Sequence, residues 1–497
     1  MDVPNGEEAP QRMKPQVTRD EKPATFVHRL RKVLTAGHVE ERGIEPLSLE
    51  ERTSTQYYQA FTVWFSINTN ILAITFGMLG PISFNLSLRD SSLVIFCFSL
   101  LATFAPAYLS TLGPKTGMRQ MVQARYSFGR FPCIVPIVLN LATLTAFCVI
   151  MSVIGGDCLS AASGGALSST VGIVLIALIA LFVSFWGFHV MHFFETFAWM
   201  PALAAIIITV GYGGPQLWLQ AVPPTTTAPQ ILSFGGIIAS YLIPWACVAS
   251  DLTTYFNPKG KMASMRIFSY SYLGLFVPTV LLMTLGAAIG GAMPNNPAWA
   301  AGFKAKQVGG VLAAMLARAG GFGRFLLVVL AFSLLANVSG TMYVITINFQ
   351  NLVPVRVPRY VYSIVVTAIL IPLGITAAKD FFHNIEHLVG LIGYWSAAFV
   401  GIVLVEHSVF RRTNCRTYDH LIWNVASSLP SGFAAIGAFL LAFGLIIPCM
   451  AQLWWTGPIA QKTGDIGFEV AFITSALLYV PLRWFELRVR TPSTNGF

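Results

Sequence analysis

The sequence predicts an all-α integral membrane protein with about twelve transmembrane helices, and three observations carry that prediction. Of 497 residues, 55% are hydrophobic and 10% are charged, where soluble domains carry roughly 25% charge. Apolar stretches near the ~20 residues that cross a bilayer recur along almost the whole chain. The lysines and arginines between them are shared unequally: 24 of the 31 fall on the side of the N-terminus and 7 on the other. By the positive-inside rule, that split puts both termini in the cytoplasm.

In chain order, residues 1–58 form a polar cytoplasmic tail, expected to be largely disordered at first with a short helix toward its end. It has no apolar h-region, so no cleavable signal peptide is expected. Spans 1 to 5 are predicted near 61–84, 91–112, 133–154, 170–188 and 194–212, making a unit of 59–212. Spans 6 to 10 follow near 232–255, 268–291, 325–348, 360–377 and 388–407, a second unit of 213–408. Spans 11 and 12, near 430–450 and 466–482, lie in 409–482, and 483–497 is a cytoplasmic C-terminal tail. The apolar stretch 308–317 is too short to span and is expected in a loop before span 8.

Two spans are awkward helices. Span 1 holds Gly77, Gly80 and Pro81, all poor in helix interiors. Span 6 is broken at Pro244, which has no N–H to donate, and it carries Asp251, a side chain that costs at least about 2.5 kcal/mol at membrane depth. Two interrupted helices, each the first of a five-helix set, point to an inverted-repeat transporter with its site at the repeat interface. Ordinary kinks are the alternative, since Gly and Pro are frequent in membrane helices.

Composition and motifs exclude other classes. The net charge of +10 follows the loop asymmetry rather than a nucleic-acid surface. Seven cysteines without a CxxC spacing read as small core residues, not a disulfide frame or a metal site. A membrane-embedded enzyme needs a constellation such as HExxH, and the chain has none; no metal and no cofactor are expected. Asp251 and Glu195 are the candidates for proton coupling, with a structural, capping role as the alternative for Asp251. Glu406 and His407 are expected in an interfacial ion pair beside Arg411 and Arg412, and Asp157 is expected to be solvated at the outer end of span 3.

Four segments carry a family resemblance: HVEERGIEPLSLEERT at 38–53, WFSINTN followed by GMLGP in span 1, GPKTGMRQMVQARYSFG at 113–129, and LIGYWSAAFVGIVLVEHSVFRR at 391–412. They resemble the fungal purine-cytosine permease branch of the nucleobase:cation symporter family. The resemblance implies a leucine-transporter-like core, spans 1 to 10 in two inverted five-helix repeats, plus two peripheral spans. It also implies proton-coupled uptake of a nucleobase-like heterocycle across the plasma membrane by alternating access. Its partners would be that small molecule and membrane lipid.

Carried over by position, the family's span 6 Trp corresponds to Trp245, an indole that can stack on a planar heterocycle at roughly 1–3 kcal/mol. In span 8 the family's Ala-Asn-Asn-Ile-Pro-Asn-Met-Tyr resembles ANVSGTMY: Asn337 keeps the first amide, Gly340 replaces Pro and Thr341 replaces the second key Asn. In span 3, Phe147 stands for the family's Trp and Met151 for its Asn, while Thr75 keeps a small hydroxyl near the first break. Two expected amides are thus replaced and the aromatic positions remain. Because a buried hydrogen-bonding site discriminates through those bonds, a related planar compound such as pyridoxine is the alternative cargo. Sodium, held between span 1 carbonyls and hydroxyls such as Ser339, is the alternative coupling ion. In the light of the family match, Lys115, Arg119 and Arg125 are candidates for a gating loop.

Overall fold

The computed structural model describes residues 43–185, 197–223, 225–352, 359–379 and 381–490. Among these, eight helices are long and apolar enough to cross a membrane, a bent pair makes a ninth span, and three shorter apolar helices complete twelve. Each predicted span has its helix. Span 1 is Tyr58–Asn68 with Ile71–Ser83, span 2 Leu88–Thr116, span 3 Ile134–Ala162, span 4 Ser169–Phe185 and span 5 Trp199–Gly213. Span 6 starts as Ala228–Leu242; spans 7 to 10 are Ala263–Ala292, Gly320–Leu352, Arg359–Ala377 and Phe381–Val405; spans 11 and 12 are Phe433–Cys449 and Gly467–Arg490. With an even number of spans, both ends of the described chain lie on one face, called here the terminal face, opposite the outer face.

Span 1 is broken, but not where its glycines and proline suggested. The helix Ile71–Ser83 runs through Gly77, Gly80 and Pro81, and the 56° bend falls at Thr69 and Asn70. The INTN segment makes the break with its own side chains. Asn68 Nδ2 and Thr69 Oγ1 donate to the carbonyls of Trp64 and Phe65, and Asn70 caps the next helix by accepting from the Leu72 amide at 2.8 Å. Asn is among the best N-caps, so one of the free amides at the start of the second half is satisfied. The glycines serve close approach instead. A Cβ on Gly77 would sit 1.9 Å from the Met283 carbonyl oxygen, and one on Gly286 2.0 Å from that of Ile74. Spans 1 and 7 therefore cross backbone to backbone, and Pro81, in the last turn, forgoes one N–H bond to the residue four before it without ending the helix.

Span 6 breaks where expected. A capping box of Thr227 and Gln230 starts it, the α-helix ends at Leu242, and two 3₁₀ turns, Ile243–Cys247 and Ala249–Leu252, carry the chain onward from Pro244. Side chains tie these turns to span 2: Ser250 Oγ donates to the Leu109 carbonyl at 2.9 Å and Thr253 Oγ1 to that of Ser110 at 2.7 Å. These bonds hold the broken segment of span 6 against span 2 inside the protein, where irregular backbone in a span is tolerated.

Other expectations shift. Residues 308–317 are not a loop: Pro297–Met315 is a helix with a kink at Lys306 and Gln307, and it buries Val308, Val311 and Leu312. It covers the end of span 3, so Asp157 is buried at 7% exposure rather than solvated. Of the N-terminal tail, residues 43–57 form turns and a single bridge to Phe256; its first 42 residues lie outside the described ones. Span 12 continues to Arg490, so Arg483 and Arg488 belong to a helix and not to a tail. Glu406 and His407 are buried, at 2% and 1% exposure. Glu406 lies 3.1 Å from both Arg411 and Arg483 and accepts from Tyr479 at 2.9 Å, a buried network rather than an interfacial pair.

Candidate functional site

Residues from spans 1, 3, 6 and 8 meet at the bend of span 1. Trp64 and Trp245 contact edge to face with centroids 5.6 Å apart, the geometry that aromatic quadrupoles favour. One turn before Trp245, Tyr241 donates to Asn68 Oδ1 at 3.2 Å. Its ring lies 4.8 Å from Phe76 and 6.4 Å, edge-on, from Phe147. From span 8, Asn337 Nδ2 donates to the Ile67 carbonyl at 3.0 Å, and Thr341 Oγ1 donates to Asn337 Oδ1 at 3.1 Å. The broken span is thus held by the Tyr241 hydroxyl of span 6 and the Asn337 amide of span 8, and five aromatic rings gather about it.

The structure brings together Trp245, Phe147, Asn337 and Thr341 from the residues singled out in the sequence. Met151 is buried one turn beyond Phe147, and Gly340 is buried beside Thr341. Thr75 is buried with its hydroxyl on the Ile71 carbonyl at 2.9 Å, a bond within its own helix. Trp64, Asn68 and Tyr241 were missed. Their signal was helical spacing: Trp64 and Asn68 share a face at i, i+4, as do Tyr241 and Trp245.

The polar capacity of this site is small and specific. Trp64 Nε1 is fully buried with no acceptor among the described residues. A buried unpaired donor costs about 1–3 kcal/mol, which a bound acceptor such as a carbonyl or ring nitrogen would recover. Asn68 and Asn337 each keep part of their fourfold hydrogen-bonding capacity. Apolar rings with a few convergent donors and acceptors form the usual make-up of a small-molecule site.

The loop after span 2 closes the terminal side of this site. Within it, Gln120–Phe128 is a short helix buried all round. Arg119 donates to the Asp251 carbonyl at 2.6 Å, and the Gln120 amide donates to Asp251 Oδ1 at 2.7 Å. Asp251 is therefore a buried cap that ties the loop to span 6. Arg119 also reaches Tyr343 of span 8 at 3.3 Å and lies over Tyr255. Arg125 reaches Asn424 at 3.0 Å and Asn351 at 3.2 Å, whereas the Lys115 side chain is exposed. Glu195 lies outside the described residues.

Comparison with known proteins adds the following. A family model described as permease for cytosine/purines, uracil, thiamine and allantoin matches residues 46–470. The purine-cytosine permease FCY22 of Saccharomyces cerevisiae is 32% identical over 484 residues, covering 94% of this chain and 90% of that protein. The vitamin B6 transporter TPN1 of the same yeast is 26% identical, covering 92% and 89%. Among solved structures, Mhp1, a nucleobase-cation-symport-1 family transporter in a closed conformation with bromovinylhydantoin bound, superposes with a TM-score of 0.70 at 14% identity, covering 91% of this chain and 97% of that one. That likeness assigns the leucine-transporter-like fold.

Proposed function

The chain belongs to the family of permeases for cytosine/purines, uracil, thiamine and allantoin, and from that premise we propose that it takes up a nucleobase-like planar heterocycle by proton-coupled symport across the plasma membrane. The terminal face is cytoplasmic on this reading, in keeping with the 24 to 7 division of lysine and arginine. Spans 1 to 5 and 6 to 10 act as the two repeats whose relative motion gives alternating access. The observation that carries the reading is the meeting of Trp245, Phe147 and Tyr241 with Asn337 and the unpaired Trp64 Nε1 at the bend of span 1. The rings stack on a flat cargo, and the few donors and acceptors read its edge.

Two specific observations favour variants of this reading. With Thr341 and Met151 at positions where the family's pattern carries amides, pyridoxine is the alternative cargo, and the likeness to a vitamin B6 transporter agrees with it. Ser339 Oγ is fully buried without a partner among the described residues, which fits sodium as the alternative coupling ion. A thermal-shift screen of the purified protein against adenine, cytosine, uracil, allantoin, hydantoin, pyridoxine and thiamine tests the substrate class. At least one planar ring compound should raise the melting temperature of the wild type and not that of Trp245→Ala. Equal shifts in both proteins would remove the site from its assigned place.

A further inference from the structure

Toward the outer face from the aromatic site lies a polar cavity of about 400 Å³, between the first half of span 6 (Ser233, Ile237, Ser240), span 10 (Tyr394) and the connection between spans 11 and 12 (Gln452, Asp465). Helix contact closes its inner end. A Cβ on Gly393 of span 10 would lie 1.8 Å from Ser240 Oγ, so the two spans touch there without a gap. Ser240 is the innermost span 6 residue of the cavity, and Tyr241, next in the chain, donates to Asn68 at the bend of span 1. The contact of Ser240 with Gly393 thus stands between the cavity and the aromatic site. A cargo that reaches Tyr241 along this cavity has to part span 10 from span 6.

The connection between spans 11 and 12 grips both helices, and Asp465 makes the joint. Its amide donates to Ser233 Oγ of span 6 at 2.8 Å, and its Oδ2 accepts from the Tyr394 hydroxyl of span 10. The Ala451 amide at 3.0 Å and the Gly467 amide at 2.9 Å hold the same carboxylate in place. Gln452 Nε2 donates to the Tyr394 oxygen at 2.9 Å, so the hydroxyl is fixed from two sides. Packing leaves no slack: a Cβ on Gly464 would lie 2.3 Å from the Pro229 carbonyl oxygen of span 6, and one on Gly467 2.6 Å from the Tyr394 ring. Span 10 is held differently at its other end. There Glu406, just past the helix, pairs with Arg483 of span 12 at 3.1 Å and accepts from Tyr479. That buried ion pair is costly to break, whereas a hydroxyl-to-carboxylate bond facing a polar cavity can be exchanged for water. The terminal end of span 10 is therefore the fixed one and the outer end the releasable one.

We propose that Asp465 is a positioning residue of the transport cycle: through Tyr394 and Ser233 it latches the outer half of span 10 onto span 6 behind an entered cargo, and the latch parts when the outer side opens. The inference rests on the alternating-access reading and deepens it, giving the peripheral spans a part in the cycle. The latch acts on populations. Removing a bond made only in the outer-closed state shifts the protein toward the outer-open one, and the terminal side, which opens at the expense of the outer side, is then reached less often.

The test reads the two faces separately, as rates of labelling by an impermeant thiol reagent in full-length protein, resolved by residue with mass spectrometry. Ser240→Cys, at a position 1% exposed, reports on the outer side, and native Cys247, fully buried in span 6, reports on the terminal side. If Ser240→Cys does not fold, Ile237→Cys one turn outward replaces it. Adding Tyr394→Phe or Asp465→Asn should quicken labelling of the outer reporter several-fold and slow that of Cys247. Uptake of tritiated adenine, cytosine or pyridoxine by the same two variants, without the reporter, should show a lower KM and a lower maximal rate. Faster labelling on both faces would mark a loosened fold and overturn the latch, as would rates unchanged on both. Labelling needs no cargo, so it judges the latch whatever the protein carries. Wild type that accumulates none of the three probes overturns the substrate class instead.

Discussion

At the residue scale, function rests on a few side chains whose chemistry is incomplete within the chain. Trp64 supplies both a ring for the Trp245 edge contact and a buried N–H without an acceptor. Trp64→Phe keeps the ring and removes the donor. If the indole N–H reads the cargo, the KM for uptake should rise on the order of tenfold, the equivalent of about 1.4 kcal/mol, with a smaller change in maximal rate. An unchanged KM would show that the N–H faces away from the cargo. Trp245 and Asn337 were legible in the sequence because a family motif surrounds them. Trp64 and Tyr241 were not, because a lone aromatic in an apolar span looks like core until its i, i+4 partner is placed beside it. Asp251 illustrates the reverse: its sequence signature suggests ion coupling, yet both its carboxylate and its carbonyl are taken by the loop after span 2.

At the element scale, the broken helices show what local sequence can and cannot place. Pro244 located the span 6 break because its missing N–H and its ring weaken an α-helix interior, although Pro278 of span 7 stands inside an unbroken helix. Gly77, Gly80 and Pro81 misplaced the span 1 break. There, polar side chains at Asn68, Thr69 and Asn70 compete for backbone groups, while the glycines permit the crossing with span 7. Glycine as bend and glycine as contact are identical in sequence, and only the neighbouring helix distinguishes them. The loop after span 2, a candidate gate from the sequence, belongs to this scale too. Arg119 bonds the turns of span 6 and contacts span 8, so Arg119→Ala should favour opening toward the terminal face. Cys247, fully buried at the end of the first 3₁₀ turn of span 6, is a native reporter. Its labelling by a thiol reagent applied from the cytoplasmic side should quicken several-fold in Arg119→Ala, and an unchanged rate would remove Arg119 from the gate.

At the scale of the whole molecule, the twelve spans were legible in number and approximate place but not in their ends, because span length and apolar composition are dictated by the bilayer. The architecture that joins them was not a matter of composition. It came from the motifs, and the match over residues 46–470 together with the superposition on Mhp1 confirms the family and the fold. The proposal that this permease binds a flat cargo at the bend of span 1 makes one demand above the others. Uptake of labelled heterocycles into cells or vesicles should be saturable, concentrative, abolished by a protonophore, and lost in Trp245→Ala protein that still reaches the membrane. Concentrative uptake by Trp245→Ala equal to that of the wild type would contradict the account.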